Sequence, residues 1–172
     1  MPGRRGWSLE GAAARSIGAP AAGIDVASEA LTARMPGAPD LWAARDAYVD
    51  VVIGAQSGQA FAARWIGSAD RLGADEPGAD GPAFLSLMEA QRWRLAMFAS
   101  DGWYWEDPAR PETASVLRAA ARAARLVDGL VPSSLERRLL EDLALFSSPG
   151  QRIDGAELYR RALAEVGQPV SG

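Results

Sequence analysis

The spacing of the apolar residues constrains the fold of this chain more than any other feature. Leu, Val, Ala and aromatic side chains recur every three or four residues, which is the period of an amphipathic helix, and Pro or Gly ends most of these runs. The β-branched cluster at residues 51–53 lies inside such a run, so it is a weak strand signal. The sequence therefore predicts an all-α fold, a single helical bundle of about six helices. The predicted helices cover about residues 25–35, 40–66 with a loosening at Gly54, 82–99, 112–127, 135–146 and 155–166.

Three segments are predicted to lie outside the helices. Residues 1–20 are rich in Gly, Ala, Pro and Arg, which predicts a poorly ordered arm, and residues 168–172 are predicted to be a tail. The stretch from Gly67 to Gly81 is dense in Gly, Asp and Ala, which predicts a long loop. The remaining range, residues 21–167, has the length of one helical bundle domain with one core.

Apolar stripes and capping residues add detail to the predicted helices. Asp40 and Asp154 are predicted to cap the helices that follow them, and residues 133–136 have the spacing of a capping box. Pro82 suits the first turn of a long central helix. The residues predicted to face the core are Leu41, Ala44, Tyr48, Val51, Val52, Phe84, Met88, Leu95, Phe98, Val116, Ala119, Ala120, Ala123, Val127, Leu135, Leu139, Leu143 and Phe146.

The absence of two residue types limits the chemistry that this chain can perform. The chain has no Cys and no His, so thiolate and imidazole nucleophiles and His-ligated zinc are excluded. No Gly-rich phosphate loop lies between a strand and a helix, so nucleotide binding is not expected. The chemistry left open runs on carboxylates, Tyr, Lys-like bases or an oxygen-ligated metal. We expect no cofactor, no metal site and no catalytic residue in this chain.

Charge and hydropathy argue against two classes of partner, nucleic acids and membranes. The net charge is −4 and the Arg residues are scattered among Asp and Glu, so we expect no nucleic-acid partner. No apolar run approaches the roughly 20 residues needed to cross a bilayer, and the first residues resemble no signal peptide. We expect no membrane partner and a cytoplasmic location.

The most distinctive segment is the aromatic and acidic turn at residues 100–107, Ser-Asp-Gly-Trp-Tyr-Trp-Glu-Asp. In one interpretation, Trp103, Tyr104 and Trp105 are core anchors that tether a loop across the end of the bundle. In the other, one or two of these rings form a platform for a sugar, and Asp101 and Glu106 accept hydrogen bonds from its hydroxyls. Adjacent loop carboxylates do not guarantee the separation that glycosidic catalysis requires, so the turn is interpreted as a binding feature.

Two further features lie on the helices beside this turn. Gln91 interrupts the apolar stripe of the central helix, so it either satisfies polar groups of a neighbouring helix or points into the site beside Trp103. Arg118, Arg122 and Arg125 form a short basic stripe opposite the alanine face of the next helix. Such a stripe is either a solvated face or a docking surface for an acidic partner.

The order of these motifs resembles a known helical domain. Residues 87–107, together with the helix at 112–123, the earlier segment 42–48 and the closing segment 154–161, are similar to the uncharacterised helical domain found C-terminal to glycoside hydrolase family 57-type barrels. The resemblance covers roughly residues 40–165. In that family the catalytic carboxylates lie on the preceding β/α barrel, and an aromatic loop of the helical region borders the sugar site. Asp101, Trp103 and Trp105 are the matching positions here.

The resemblance implies a function without a reaction. The chain contains no barrel motifs, so it corresponds to a fragment or stand-alone form that lacks the catalytic half. The expected function is an accessory domain that packs against a catalytic barrel acting on α-glucans and contributes sugar contacts from Gln91, Asp101, Trp103, Tyr104, Trp105 and Glu106. The expected partners are an α-glucan or oligosaccharide and a catalytic barrel or other protein. The alternative is a structural or protein-interaction module without a ligand.

Overall fold

The computed structural model describes residues 12–66, 80–102, 108–145, 147–148 and 152–164, with the backbone alone for residues 12–16 and Asp101. Within these residues the chain is an all-α helical bundle, as predicted. The helices are α1 (Ala12–Thr32), α2 (Leu41–Ala47), α3 (Val49–Val52), α4 (Gly58–Trp65), α5 (Asp80–Ala96), α6 (Pro111–Asp128), α7 (Leu135–Leu143) and α8 (Gly155–Ala164). A 3-10 helix, Ser100–Gly102, follows α5, and the short strands β1 (Ser147–Ser148) and β2 (Ile153–Asp154) pair antiparallel before α8.

The interior consists of two hydrophobic clusters that meet at α5. The first surrounds α6, whose alanine-rich face is buried against α1, α5, α7 and α8. Small side chains on that face allow the neighbouring helices to approach closely. The second cluster is aromatic and joins α2, α4 and α5, with the rings of Phe61 and Phe84 stacked at a centroid distance of 5.9 Å. Because α5 supplies Met88 to the second cluster and Ala90 to the first, it is the central helix of the bundle.

Side-chain caps fix the starts of two helices as predicted. The Asp40 carboxylate accepts hydrogen bonds from the backbone N–H groups of Trp42 and Ala43 at 2.9 and 3.1 Å. The Asp154 carboxylate accepts one from the backbone N–H of Glu157 at 2.7 Å. Each bond satisfies a donor that the first turn of a helix leaves without a helical partner.

The capping box predicted at residues 133–136 was wrong, because another residue caps α7. Ser134 has a left-handed backbone (φ 56°) and its side chain makes no cap hydrogen bond. Instead Asp128, the last residue of α6, accepts hydrogen bonds from the backbone N–H groups of Leu135 and Glu136 at 2.8 and 3.0 Å and from the Ser133 hydroxyl. Burial raises the pKa of Asp128, but these hydrogen bonds outweigh burial and hold the pKa below its ordinary value.

The first helix begins earlier than the sequence indicated. Residues 12–20 were expected in a poorly ordered arm, yet α1 starts at Ala12 rather than at Asp25 and includes Pro20. Ile17 and Ile24 of this helix are almost completely buried against α6 and α7. Burial in the tertiary structure therefore outweighs the low helix propensity of the Gly and Pro residues in this segment.

The stripe predicted on α5 was wrong at its C-terminal end. Phe84 and Met88 are fully buried, but Leu95 is 49% exposed and Phe98 is 43% exposed, whereas Met97 faces the core. The helix ends at Ala96, so the helical spacing does not extend to Phe98. The helix predicted to follow Asp40 is divided at Tyr48 into α2 and α3. Val52, which was predicted to face the core, is 46% exposed.

Some predictions fall outside the described residues. The loop expected from Gly67 to Gly81 is described only at its end, where Asp80 and Gly81 already belong to α5. Phe146, expected on the core stripe of α7, is not described. Within the described part of the chain, no helix is both long enough and apolar enough to cross a membrane.

Candidate functional site

The aromatic and acidic turn is described only at its two flanks. Residues 103–107 lie outside the described residues, so the predicted sugar contacts of Trp103, Tyr104, Trp105 and Glu106 stay predictions. For Asp101 the backbone lies in the 3-10 helix Ser100–Gly102, and its side chain is not described. The flanking residues Gly102 and Pro108 are both buried.

Gly102 is fixed against the first two turns of α6. The Thr113 hydroxyl donates a hydrogen bond to the Gly102 carbonyl oxygen at 3.0 Å, and Thr113 itself is buried. A Cβ atom on Gly102 would collide with the side chain of Val116 and would lie 3.3 Å from the backbone oxygen of Glu112. Only glycine therefore fits at this contact, and the chain leaves α5 against a rigid surface.

The other flank of the turn lies beside the same helix. Pro108 lines a small cavity of about 260 Å³ together with Pro111 and Leu117 of α6 and Leu158 of α8. The residues on either side of the segment 103–107 are therefore both buried, and both lie beside α6. Functional residues are commonly carried on loops that a rigid scaffold positions in this way.

Gln91 lies away from solvent and interacts with α1. It is fully buried, and its amide nitrogen donates hydrogen bonds to Ser28 Oγ at 2.8 Å and Asp25 Oδ1 at 3.3 Å. Arg94 donates to the other oxygen of Asp25 at 2.6 Å. This geometry favours the interpretation that Gln91 satisfies polar groups of a neighbouring helix, although these groups are side chains rather than backbone. The assignment of Gln91 to a sugar site stays a prediction.

The basic stripe of α6 lines the side of a groove of about 680 Å³, called here the basic groove. Its lining combines apolar side chains with the three guanidinium groups of the stripe. The lining residues come from α5, α6 and α8, and they are Trp93, Ser115, Arg118, Ala121, Arg122, Arg125, Leu126 and Leu163. The stripe therefore forms part of a concave surface rather than a flat solvated face.

Trp93 joins the groove to the polar surface of α5. Its indole N–H donates a hydrogen bond to Glu89 at 2.7 Å, and the guanidinium carbons of Arg92 and Arg122 lie 4.6 and 4.9 Å from its ring centroid. Both distances are within the range of cation–π attraction. Burial, followed by the negative charge of Glu89, raises the pKa of Tyr48 on the other side of this cluster.

The three arginines of the stripe have different surroundings. Arg118 donates to the Ala162 carbonyl oxygen at 3.2 Å and to the Ser115 hydroxyl at 3.0 Å, so its guanidinium is held across α6 and α8. Arg122 lies over Trp93, and no carboxylate of the described residues forms an ion pair with it. Arg125 forms an ion pair with Glu136 at 2.7 Å.

Glu136 and Tyr159 complete the network at the Arg125 end of the basic groove. The Tyr159 hydroxyl donates to Glu136 at 2.6 Å. Burial raises the pKa of Glu136, but the hydrogen bonds from Arg125 and Tyr159 outweigh burial and lower the pKa below its ordinary value. Burial and the bond to Glu136 raise the pKa of Tyr159. These groups thus connect α6, α7 and α8.

The described residues contain no group of three or more Asp or Glu side chains arranged to hold a metal ion. The basic stripe was predicted from the sequence, but the contributions of Trp93, Ser115 and Leu163 to the groove were not. Trp93 follows Glu89 at a spacing of one helical turn, which was the available signal for their hydrogen bond. The meeting of α5, α6 and α8 depends on the tertiary structure.

The fold places this chain among all-α helical bundle domains. The chain belongs to the family described as a domain of unknown function, DUF3536, whose profile matches residues 26–167. The match begins inside α1 and includes every later helix. No curated protein and no solved structure matches the chain.

Proposed function

We propose that this chain is an accessory helical domain that packs against a catalytic barrel of the glycoside hydrolase family 57 type and contributes aromatic contacts to an α-glucan. The observation that carries the proposal is that both residues flanking the aromatic segment, Gly102 and Pro108, are buried, and that Gly102 is fixed against α6. Binding residues are commonly carried on loops whose flanks are anchored on a rigid scaffold.

The chemistry of the segment suits a sugar. Trp103 and Trp105 offer flat apolar faces, and Asp101 and Glu106 offer hydrogen-bond acceptors for hydroxyl groups. Sites for small ligands usually combine such apolar surfaces with a few polar groups. The exposed side chains of Leu95 and Phe98 lie just before the segment in the chain, and they extend the apolar surface available to a partner domain.

The proposal assigns binding and positioning to this chain and assigns the reaction to the partner barrel. Neither His nor Cys is present to act as a general base or nucleophile. Accordingly, we expect no hydrolysis by the purified chain alone.

Calorimetric titration of the full chain with maltooligosaccharides tests the sugar contacts. We expect measurable binding that Trp103→Ala weakens by about tenfold, the loss of roughly 1.4 kcal/mol. Trp42→Ala is the matched control, because Trp42 is a partly exposed tryptophan on α2. Absence of binding by the unmodified chain, or equal weakening by both substitutions, would contradict the proposal.

A second candidate function is a protein-interaction module that binds no sugar. The basic groove favours it, because concave apolar surfaces edged by charge are typical of binding sites. In that case Trp103 and Trp105 would be core residues shielded from solvent. Iodide quenching of tryptophan fluorescence, compared between the unmodified chain and Trp103→Phe, distinguishes the two candidates. A Trp103 that iodide reaches and that maltooligosaccharide protects supports the first candidate. A Trp103 that is shielded without ligand supports the second.

A further inference from the structure

The outer face of α2 and α3 carries a concentration of exposed apolar side chains. Four of the eight large apolar side chains that the described residues expose lie within residues 42–53, and they are Trp42, Val49, Val52 and Ile53. This set is called here the α3 stripe. Val49 is 54% exposed and Ile53 is 69% exposed. Single exposed apolar side chains are ordinary, but a group of them on one surface is typical of an interaction site.

The members of the α3 stripe have the spacing of one helical face. Helical hydrogen bonds continue where α2 and α3 divide, since the Tyr48 N–H donates to a carbonyl oxygen of α2 at 2.9 Å and the Val52 N–H donates to the Tyr48 carbonyl oxygen at 3.1 Å. Trp42, Val49 and Ile53 therefore follow one another at seven and four positions along a helical path. The stripe is about 16 Å long, which is three helical turns.

The packing of α2 and α3 in the bundle does not require the α3 stripe. Their inner face is a separate set of residues, in which Leu41 and Ala44 are buried and Tyr48 and Val51 pack against the aromatic cluster. A helix on the surface of a domain needs one apolar face for its own core. The α3 stripe is therefore a second apolar face.

Carboxylates stand beside the α3 stripe. Asp46 and Asp50 are exposed, and they lie four positions apart on the solvent side of these helices. Residues 40–53 contain three Asp and one Arg, so their net charge is −2. Like charges at this spacing repel, and negative charge near the carboxyl end of a helix opposes the helix dipole. The ion pair of Asp46 with Arg45 at 2.7 Å offsets part of this cost, and a basic partner would offset more of it.

The shape and charge of this surface favour one class of partner. An apolar stripe of three turns is the kind of surface on which another helix packs. Nucleic acids and anionic membranes would meet repulsion from the carboxylates. A second copy of this chain would bring the same carboxylates to the same interface, so the charges would not be complementary. A helix that carries Arg or Lys beside its apolar face meets both requirements.

We propose that the α3 stripe docks an amphipathic helix of a protein partner, with apolar side chains of that helix on Trp42, Val49 and Ile53 and a basic side chain beside Asp46 and Asp50. This inference rests on the part of the proposed function in which the chain packs against another domain, and it names the surface and the chemistry of that contact. It does not depend on sugar binding at residues 103–107.

Nuclear magnetic resonance titration of the full, nitrogen-15-labelled chain tests the inference. The probe is a helical peptide of about four turns with Leu along one face and Arg beside it, and the control probe has Glu in place of Arg. We expect the basic probe to shift the indole N–H resonance of Trp42 and the backbone amides of residues 49–53. We expect Val49→Ala to weaken this binding by about tenfold and Asp50→Asn to weaken it by about threefold, with the second effect lost at high salt.

Val26→Ala is the matched control variant, because it makes the same change at a valine of α1 that is 66% exposed and lies outside the α3 stripe. The inference is overturned if the basic probe shifts none of these resonances, if the acidic probe binds equally well, or if Val26→Ala weakens binding as much as Val49→Ala. Sedimentation showing that the chain dimerises and that Val49→Ala abolishes the dimer would also overturn it, because a second copy would then occupy the surface. The titration contains no sugar, and the maltooligosaccharide calorimetry contains no peptide, so failure of either proposal is recognised separately.

Discussion

The contact between Gly102 and Val116 yields the most specific prediction about the turn. Alanine at position 102 would place its methyl group against the Val116 side chain, with the backbone oxygen of Glu112 at 3.3 Å. The backbone of α6 cannot retreat, because Val116 is buried in the cluster around that helix. Gly102→Ala therefore forces either the turn or the valine out of position.

The magnitude of the effect follows from two opposing contributions. Overpacking of this kind costs about 1–3 kcal/mol, and the restriction of the unfolded chain by alanine returns about 0.4–1 kcal/mol. We expect Gly102→Ala to lower the free energy of unfolding by about 1–2 kcal/mol. Val116→Ala alone removes two buried carbon groups at about 0.8 kcal/mol each and leaves a cavity, for a loss of about 2 kcal/mol.

The two substitutions should partly compensate each other. In Gly102→Ala/Val116→Ala the new methyl group occupies the space that the valine leaves. We expect the double variant to lose about 2 kcal/mol, whereas additivity predicts a loss of about 3–4 kcal/mol. Urea unfolding of the four proteins, followed by circular dichroism, measures the difference, provided that the dependence of unfolding free energy on urea is unchanged.

Gly18→Ala serves as the control for the glycine substitution itself. A Cβ atom on Gly18 in α1 meets nothing within 4 Å, so this change should stabilise the chain by about 0.5–1 kcal/mol. If the loss of unfolding free energy in the double variant equals the sum of the two single losses within about 0.5 kcal/mol, the contact between Gly102 and Val116 is refuted. Under the proposed function, Gly102→Ala should also weaken maltooligosaccharide binding and Gly18→Ala should leave it unchanged.

Two further predictions concern the carboxylates that α7 uses. The pKa of Asp128 is held below its ordinary value of 3.8 in the folded chain, so its stabilising effect is complete at neutral pH and is lost as the pH falls through the folded-state pKa. We expect Asp128→Ala to lower the free energy of unfolding by about 1–2 kcal/mol at neutral pH and by less below about pH 4. Urea unfolding at both pH values measures this, and an equal loss at the two pH values would contradict the cap. We expect Tyr159→Phe to lower the free energy of unfolding by about 1–2 kcal/mol and to raise the pKa of Glu136 toward its ordinary value. The carbon-13 resonance of the Glu136 carboxyl group measures that pKa. An unchanged pKa would show that the Tyr159 hydroxyl does not stabilise the carboxylate.

Local sequence signals predicted the helical elements well. Apolar residues at helical spacing predicted α5 to α8, and Gly129 marks the end of α6 as expected. Asp40 and Asp154 cap their helices because a carboxylate at that position reaches backbone N–H groups within the next few residues. Such interactions depend only on neighbours in the chain, so the sequence is sufficient to predict them.

Interactions between distant residues were less predictable. Asp128 caps α7 across the turn from α6, and this displaced the capping box that the sequence suggested. Gln91 was recognised as an unusual polar residue, but its partners Ser28 and Asp25 lie more than sixty positions earlier in the chain. Neither pairing has a local sequence signal, because each depends on how two helices pack.

The sequence by itself determined the all-α class, the position of most helices and the distinctive composition of residues 100–107. The tertiary structure alone decided that Ile17 is buried, that Leu95 and Phe98 are exposed, and that Trp93 meets the basic stripe of α6 in a groove. Helical periodicity specifies which residues share a face, but the burial of that face depends on which other helices cover it.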